Sequence, residues 1–491
     1  MSESNRVRLS GVKEVTIGTT PNTPRMRNMR MTGESLAFAP TLVSSEEIRS
    51  DRMNAASILV GITNGGAVNF EFHYPTDNSV LSACIESAML NTWTNTPSRD
   101  NDGTGASVIT GITGSTGTVA FLTGATFLAN HLVNLSGFTA AGNNGIQVVT
   151  TGGTTSLIVG AGHLTDDASP AAAARVKVVG IQGATSDLTA TASGLASTAL
   201  DFTTLGLSIG QWLLIGGNGA VTQFATAANN DWVRISGTIS AHAIPLDNLP
   251  SGWGADNGSA KTIRIFFGDY IANGVTKNSL TLERGFLDQT VPTYIAQKGM
   301  AVNKWTVTIP SKERITGSFE FQGMNGSQST TSLDAVTDAA PDPNTYPIMA
   351  GSANVGRMSE FGAALQSPNW AKQLAFTITN NYVGIDAVDS IAPVDLSAGS
   401  CDVQVTLDTY FGNNSLLTRM FNNTITTAAA RVLKNKQAVV FGFPALVMSK
   451  GNPNATKKNE RVMLGLTMDA SIDTITNSQI TVQRFERYLD I

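Results

Sequence analysis

Residues Gly66–Leu90 read GAVNFEFHYPTDNSVLSACIESAML, and residues Gly399–Phe421 read GSCDVQVTLDTYFGNNSLLTRMF. Each stretch opens as a strand of alternating polar and apolar residues. Each then passes a Tyr-containing turn with Asn-Ser and continues as a helix with an apolar stripe. In the first stretch Asn78 or Ser79 is the expected helix cap, because a side-chain oxygen there can accept an orphan backbone N–H. In the second stretch the cap is Asn414 or Ser415. The repeat-defining helix core is Leu81 and Ile85 in one copy, and Leu417 and Met420 in the other.

A second pair of landmarks reads in the same order. Leu280-Thr281-Leu282-Glu283-Arg284 matches Ile480-Thr481-Val482-Gln483-Arg484, with Asn-Ser just upstream of each. Two matched landmarks predict a tandem duplication of one β-rich domain, and duplications of this kind build surfaces and assemblies. With the Asn-Ser positions aligned, strand alternation slips by one residue, so that Phe70 and Phe72 fall opposite Thr406 and Asp408. A slip of one residue exchanges the two faces of a strand. It requires either a β-bulge in one copy or an alignment displaced by one.

The 491 residues are too many for one ordinary core. Hydrophobic residues make up 42% and charged residues 14%, against ~25% in typical soluble domains. Thr, Ser, Asn and the 47 glycines fill the polar positions, a composition of strands and turns whose surfaces are covered by neighbours. The net charge of −5, without a large basic cluster, speaks against a protein that grips DNA. Cys84 and Cys401 read as reduced thiols, neither a disulfide nor a metal motif. The N-terminus has no apolar signal region and no run is apolar enough to span a membrane, so the expected setting is soluble and cytosolic.

The expected architecture is mainly β. Residues 1–34 form an N-terminal arm, broken by Thr19-Thr20-Pro21 and Thr23-Pro24. Residues 35–97 and 262–292 form the first copy of the domain, interrupted by a β-rich insertion over 98–261 that is poor in charge and punctuated by turns. Residues 293–491 form the second copy, with a long polar loop over 323–352.

Catalytic chemistry finds no support in the residues. His73, His131, His163 and His242 have no metal-ligand spacing, and no Gly-x-Ser-x-Gly elbow joins a strand to a helix. The glycine pairs lack the Lys-Ser/Thr of a phosphate loop, and Asp166-Asp167 does not fit a calcium loop. The expectation is a non-enzyme without metal or cofactor. The charged block Glu46, Glu47, Arg49, Asp51 and Arg52 reads either as a solvated loop with local ion pairs or as a subunit contact, in which guanidiniums bind a neighbour's carboxylates. Arg284 and Arg484, which end the second landmark pair, are further candidates for such contacts.

Several segments, taken in order, resemble the tail tube proteins of long-tailed, non-contractile (siphovirus-type) bacteriophages. They are PTLVSSEEIRSDR over Pro40–Arg52, Asn91-Thr92-Trp93 after the first helix, SLTLER over Ser279–Arg284, ITNN over Ile378–Asn381 and TYF over Thr409–Phe411. IGQWLLIGG, at Ile209–Gly217, is similar to segments of insertions in such proteins. The resemblance implies two tandem tail-tube β-sandwich domains, each with a flanking helix, polymerised into stacked rings whose sheets join into a barrel around a lumen. Three duplicated chains would then make a pseudo-sixfold homotrimer ring, with a hexamer of chains as the alternative. The insertion would face outward, and the arm and the 323–352 loop would contact the adjoining ring.

The implied partners are the chain itself, tape-measure and tail-terminator or tip proteins, and double-stranded DNA that passes without specific binding. The implied location is the virion tail, after assembly in the host cytoplasm. Two other readings predict different features. An outer carbohydrate-binding or adhesin-like module would expose aromatic residues on the insertion and not polymerise. A virion-borne hydrolase would need a carboxylate pair or triad in a cleft.

Overall fold

A computed structural model describes residues 3–102, 108–334, 344–360, 363–365, 368–455 and 457–489. The strands used below are β1 (Val7–Lys13), β2 (Ala37–Val43), β3 (Ile58–Glu71), β4 (Asp269–Ala272), β5 (Leu280–Phe286), β6 (Thr293–Pro310), β7 (Thr316–Gln322) and β8 (Asn325–Ser329). They continue with β9 (Val355–Glu360), β10 (Ala371–Thr379), β11 (Asp402–Tyr410), β12 (Thr426–Lys434), β13 (Gln437–Asn454), β14 (Met463–Ala470) and β15 (Thr481–Phe485). Helix α1 spans Val80–Met89 and helix α2 spans Ser415–Phe421.

One antiparallel sheet runs β2–β3–β7–β6–β10–β11–β14–β13. Its strands alternate, so one face is apolar and the other polar. On the apolar face Val68, Phe319, Trp305, Ile378 and Val403 lie side by side across five strands. All of them are buried. The Trp305 ring packs against Phe319, Phe376 and Phe441. On the polar face a parallel row reads Asn69, Ser318, Thr306, Thr377, Gln404 and Asp469.

The second layer consists of β1–β5–β6–β8 and of β9–β12–β13–β15–β4. Strands β6 and β13, each 18 residues long, belong to both layers. In β6 the change of layer falls at Gly299, whose φ of +66° is open to glycine and strained for other residues. In β13 it falls around Pro444, at the bulge in the ladder to β12 and just before the ladder to β14 begins at Leu446.

The pairings define the repeat. Leu280 pairs with Met300 and, past a bulge, Leu282 pairs with Gln297; Thr426 pairs with Leu446 and, past a bulge, Ala428 pairs with Phe443. Further along, the ladder slips between Val302 and Lys304 in one copy and between Met448 and Lys450 in the other. Bulges pin register, so their coincidence makes β6 the counterpart of β13. It follows that β5 matches β12, β7 matches β14, β8 matches β15, and β1 matches β9. The repeat turns over between Ser329 and Val355, not at residue 293.

The second sequence landmark is corrected by the same pairings. β5, carrying Leu280–Arg284, and β15, carrying Thr481–Arg484, flank opposite sides of their long strands and are not equivalent. The arm is corrected as well: β1 pairs with β5 along its whole length, and Leu9, Met26 and Met29 are buried. Of the 323–352 loop, residues 325–329 form β8, and residues 335–343 lie outside the described residues.

The slip in alternation resolves without a bulge. The N-cap of α1 is Ser79, whose Oγ accepts from Ser82 N–H at 3.2 Å, whereas the N-cap of α2 is Asn414. The Asn-Ser dipeptides are therefore one residue out of phase, and the connection from strand to cap is four residues longer in the first copy. In the sheet Gly65 pairs with Ala37 and Gln322, as Gln404 pairs with Thr377 and Asp469. Val68 then matches Leu407 and Phe70 matches Thr409, and all four are buried. In α1, Leu81 and Ile85 are core residues. In α2 the buried residue is Leu416, while Leu417 and Met420 are half-buried on the flank of the same core.

The insertion has its own apolar core, from Ile109 to Phe267. Its main sheet includes the strands Arg175–Gln182, Trp212–Ile215 and Trp232–Ile235. Leu132, Val179, Trp212, Trp232 and Phe266 pack on Ala429, Ala438, Val440 and Phe485. The insertion therefore sits on the second layer, on the side opposite the polar face.

Candidate assembly surfaces

Three features of this architecture bear on function: a polar sheet face, two unfinished sheet margins, and a pair of loops of unlike exposure. Small hydroxyl residues meet across neighbouring strands of the polar face. Thr306 and Thr377 approach within 3.3 Å through their Oγ atoms. Lys304 pairs with Glu320 at 3.1 Å, which leaves Asp402, Asp408 and Asp469 against Lys450, in the row of Thr406 and Thr467, to set the sign of the face. Among the described residues it is a Thr-rich surface on which carboxylates outnumber ammonium groups, a poor match for a polyanion.

The margins of the eight-stranded sheet are β2 at one end and residues 447–454 of β13 at the other. In β13 those residues pair, among the described residues, with β14 alone. Open edges are templates for another chain. Two prolines mark them, Pro40 in β2 and Pro453 in β13. Proline is compatible with an edge whose N side faces outward.

The β2–β3 hairpin extends beyond the sheet and carries the charged block at its tip. Glu46, Glu47, Arg49, Asp51 and Arg52 are all exposed. Arg49 pairs with Asp51 at 2.7 Å within the tip, which lowers the Asp51 carboxyl through that hydrogen bond and raises Arg49. The stem beneath is apolar and open to solvent at Leu42, Val43, Ile58, Leu59 and Val60. The corresponding loop of the second copy, between β10 and β11, is docked instead. Its Tyr382 and Leu396 are buried with Leu90, Ala301 and Met324, and Lys277 bonds Asp395 and the Leu396 carbonyl.

The two arginines of the second landmark do different things. Arg284 is nearly buried and reaches Glu34 at 3.4 Å. Arg484 has no exposed side-chain surface, which corrects its assignment to a subunit contact. Its guanidinium bonds Asp269 at 2.7 Å, Ser82 Oγ at 2.6 Å, the Pro75 carbonyl at 3.1 Å and Asn95 at 3.0 Å, and lies 4.2 Å from the Trp93 ring centre. Lys177 bridges Asp269 and Asp77, and Arg175 joins Asp77, Asp100 and Glu486.

This cluster ties four segments together: the turn before α1, the insertion, β4 and the C-terminal strand. Burial raises the Asp77 carboxyl, but Lys177, Arg484 and Arg175 outweigh it and hold the group below the usual carboxylate range. Burial lowers Arg484 and Arg175, and their carboxylate partners reverse this. Sequence reading missed the cluster because its members are distributed from Asp77 to Glu486, with no local motif.

Among the described residues no group of three or more His, Cys, Asp or Glu side chains is placed to hold a metal. Burial pushes the Cys401 thiol up to about 11 and raises Cys84 further, so neither is a ready nucleophile. Among the described residues no helix is long and apolar enough to cross a membrane.

The architecture is thus a duplicated β-sandwich with open margins and a polar sheet face. The family model described as phage tail tube protein matches residues 4–241 and 181–473, and the chain belongs to that family. No curated protein matches the chain. The protein is thus a structural component of a phage tail, and its family assembles into a tube.

Proposed function

We propose that the chain polymerises into stacked rings around a lumen lined by the polar sheet face, a passive conduit for double-stranded DNA during ejection into the host. The continuous eight-stranded sheet, polar on one side and unfinished at both ends, is the observation that carries this reading. A β-barrel closes by joining such margins and so abolishes edges. Thr, Ser and acidic residues on the bore repel or ignore phosphate, so DNA slides without the counterion release that would trap it.

Two sheet halves per chain favour a ring of three chains with pseudo-sixfold symmetry, over six chains. The insertion, seated on the outer layer, faces away from the bore. The hairpin tip with Glu46, Glu47, Arg49, Asp51 and Arg52 makes subunit contacts, whereas Arg284, paired with Glu34, stays within its own chain. The tail is of the long non-contractile type, with tape-measure and terminator or tip proteins as further partners, and assembly takes place in the host cytoplasm.

Negative-stain microscopy of the purified chain, with native mass of single rings, tests the proposal. Hollow rods of uniform width and a ring mass of three chains are expected. A compact monomer under all conditions would overturn it, and a six-chain mass would overturn the trimer.

A further inference from the structure

Resting on the proposed ring, we infer that the joint between chains repeats the joint already present inside each chain, strand for strand and residue for residue. The partner is a second copy of this chain. Inside the chain the two copies meet where β6 pairs with β10, from Lys304 opposite Thr379 to Pro310 opposite Gln373. The shared bulges make Lys450 the counterpart of Lys304. The ladders around Gly65 and Gln404 make Ala37 the counterpart of Thr377 and Ala39 that of Thr379. Transferred to the free margins, the joint sets Lys450 of one chain opposite Ala39 of the next, Gly451 opposite Phe38, and Asn452 opposite Ala37.

Three independent observations fit this register. First, faces agree: Lys450 and Asn452 are exposed, as are Ala37 and Ala39, whereas Gly451 and Phe38 are partly buried. Second, size is no obstacle: the in-chain joint sets the large Trp305 against Ile378, and the transferred joint sets Phe38 against a glycine, a smaller pair. Third, backbone directions agree. Across the in-chain joint Asn380 N–H donates to the Asn303 carbonyl at 2.8 Å, so by alternation Trp305 and its counterpart Gly451 face the partner. The Asn64 carbonyl accepts from Gly323 N–H at 2.8 Å, away from β2, so its ladder partner Phe38 faces outward.

Gly451 and Phe38 then exchange both bonds, while Pro40 and Pro453 can only accept. The ladder between chains is sparser than the one within, and the missing donors discourage indiscriminate pairing of free chains.

The loops follow the same rule. Inside the chain the β10–β11 loop covers Leu90 at the end of α1. At the end of α2, Phe421 is 80% and Ile425 58% exposed. The apolar β2–β3 hairpin of the next chain, with its exposed Leu42 and Ile58, is the segment the repeat places over them.

Cysteine pairing reads the register directly. Tubes of the Ala39→Cys, Lys450→Cys double variant, oxidised after assembly, should yield chains linked covalently into closed sets equal to the ring. The Ala39→Cys, Asn454→Cys pair, displaced along the same face, should stay unlinked. Linkage of the displaced pair instead, or rods without linkage of the first, overturns the register while leaving the tube itself intact. Hydrogen exchange on the unaltered chain covers failure of a variant to assemble. Amides of Phe38 and Gly451 should slow at least tenfold on polymerisation, and unchanged exchange in wild-type rods would equally overturn the joint. Absence of rods from the unaltered chain would instead defeat the ring proposal.

Discussion

Arg484 and Asp77 belong to a buried cluster of several charged groups, and their energetics follow from mutual dependence. Removing one member of a buried ionic set strands its partners, at a cost of about 3–5 kcal/mol. Asp77→Asn should therefore lower the unfolding free energy by that order in denaturant titrations, with Arg484→Met of similar size. Because the folded value of Asp77 lies below the unfolded one, its stabilisation is complete above the ordinary carboxylate range and is lost as pH falls through the folded value. His131 adds to this at higher pH. Burial lowers it to about 4 from 6.5, and its Nδ1 accepts from Leu128 N–H at 3.2 Å. The unfolded chain gains that proton first, so stability should decline as pH drops from about 6.5 to about 4. Melting temperatures across this window, with His131→Gln flattening the upper part, check the assignment.

At the scale of elements the two helices diverge from a common origin. Helix α1 is capped by Ser79 and buried along most of its length, whereas the Asn414 side chain makes no capping bond to α2. Ser79→Ala should cost about 1 kcal/mol and Asn414→Ala much less, measured by thermal or chemical unfolding. Ile85→Ala, in the core, should cost about 2–5 kcal/mol. The strand–helix unit was legible because alternation and the apolar stripe are properties of contiguous residues. The match of Leu280–Arg284 with Ile480–Arg484 misled because local sequence does not say which side of a neighbour a strand will take. The true markers, the bulges at Val302/Lys304 and Met448/Lys450, are short and chemically unremarkable. The charged hairpin tip was readable as a dense polar block; the apolar stem below it declared its role only once its docked counterpart at Tyr382 and Leu396 was seen.

At the scale of the whole molecule the proposed conduit makes the sign of the polar face the quantity to test. Thr306→Lys, Thr377→Lys and Thr406→Lys together should leave rods intact and turn the bore into a surface that holds DNA at low salt and releases it as salt rises, measured by retention on the assembled rods. An unchanged affinity would place that face elsewhere than on the lumen. Fold class and family were legible from composition, the duplicated unit and the order of several short segments. The seam that fixes the insertion on the second layer was not, because Trp212 and Trp232 meet Ala438 and Phe485 only in three dimensions.

Strands β6 and β13 each pass from one layer of the wall into the other without a break in the chain. Two leaves resting on each other by apolar contact alone could slip under load, as loose sheets of paper do. Stitched by continuous covalent backbone at two places per molecule, they must deform together, and a bonded laminate is far stiffer in flexure than its separate plies. A long thin cylinder built this way can sway as a unit and keep its bore round.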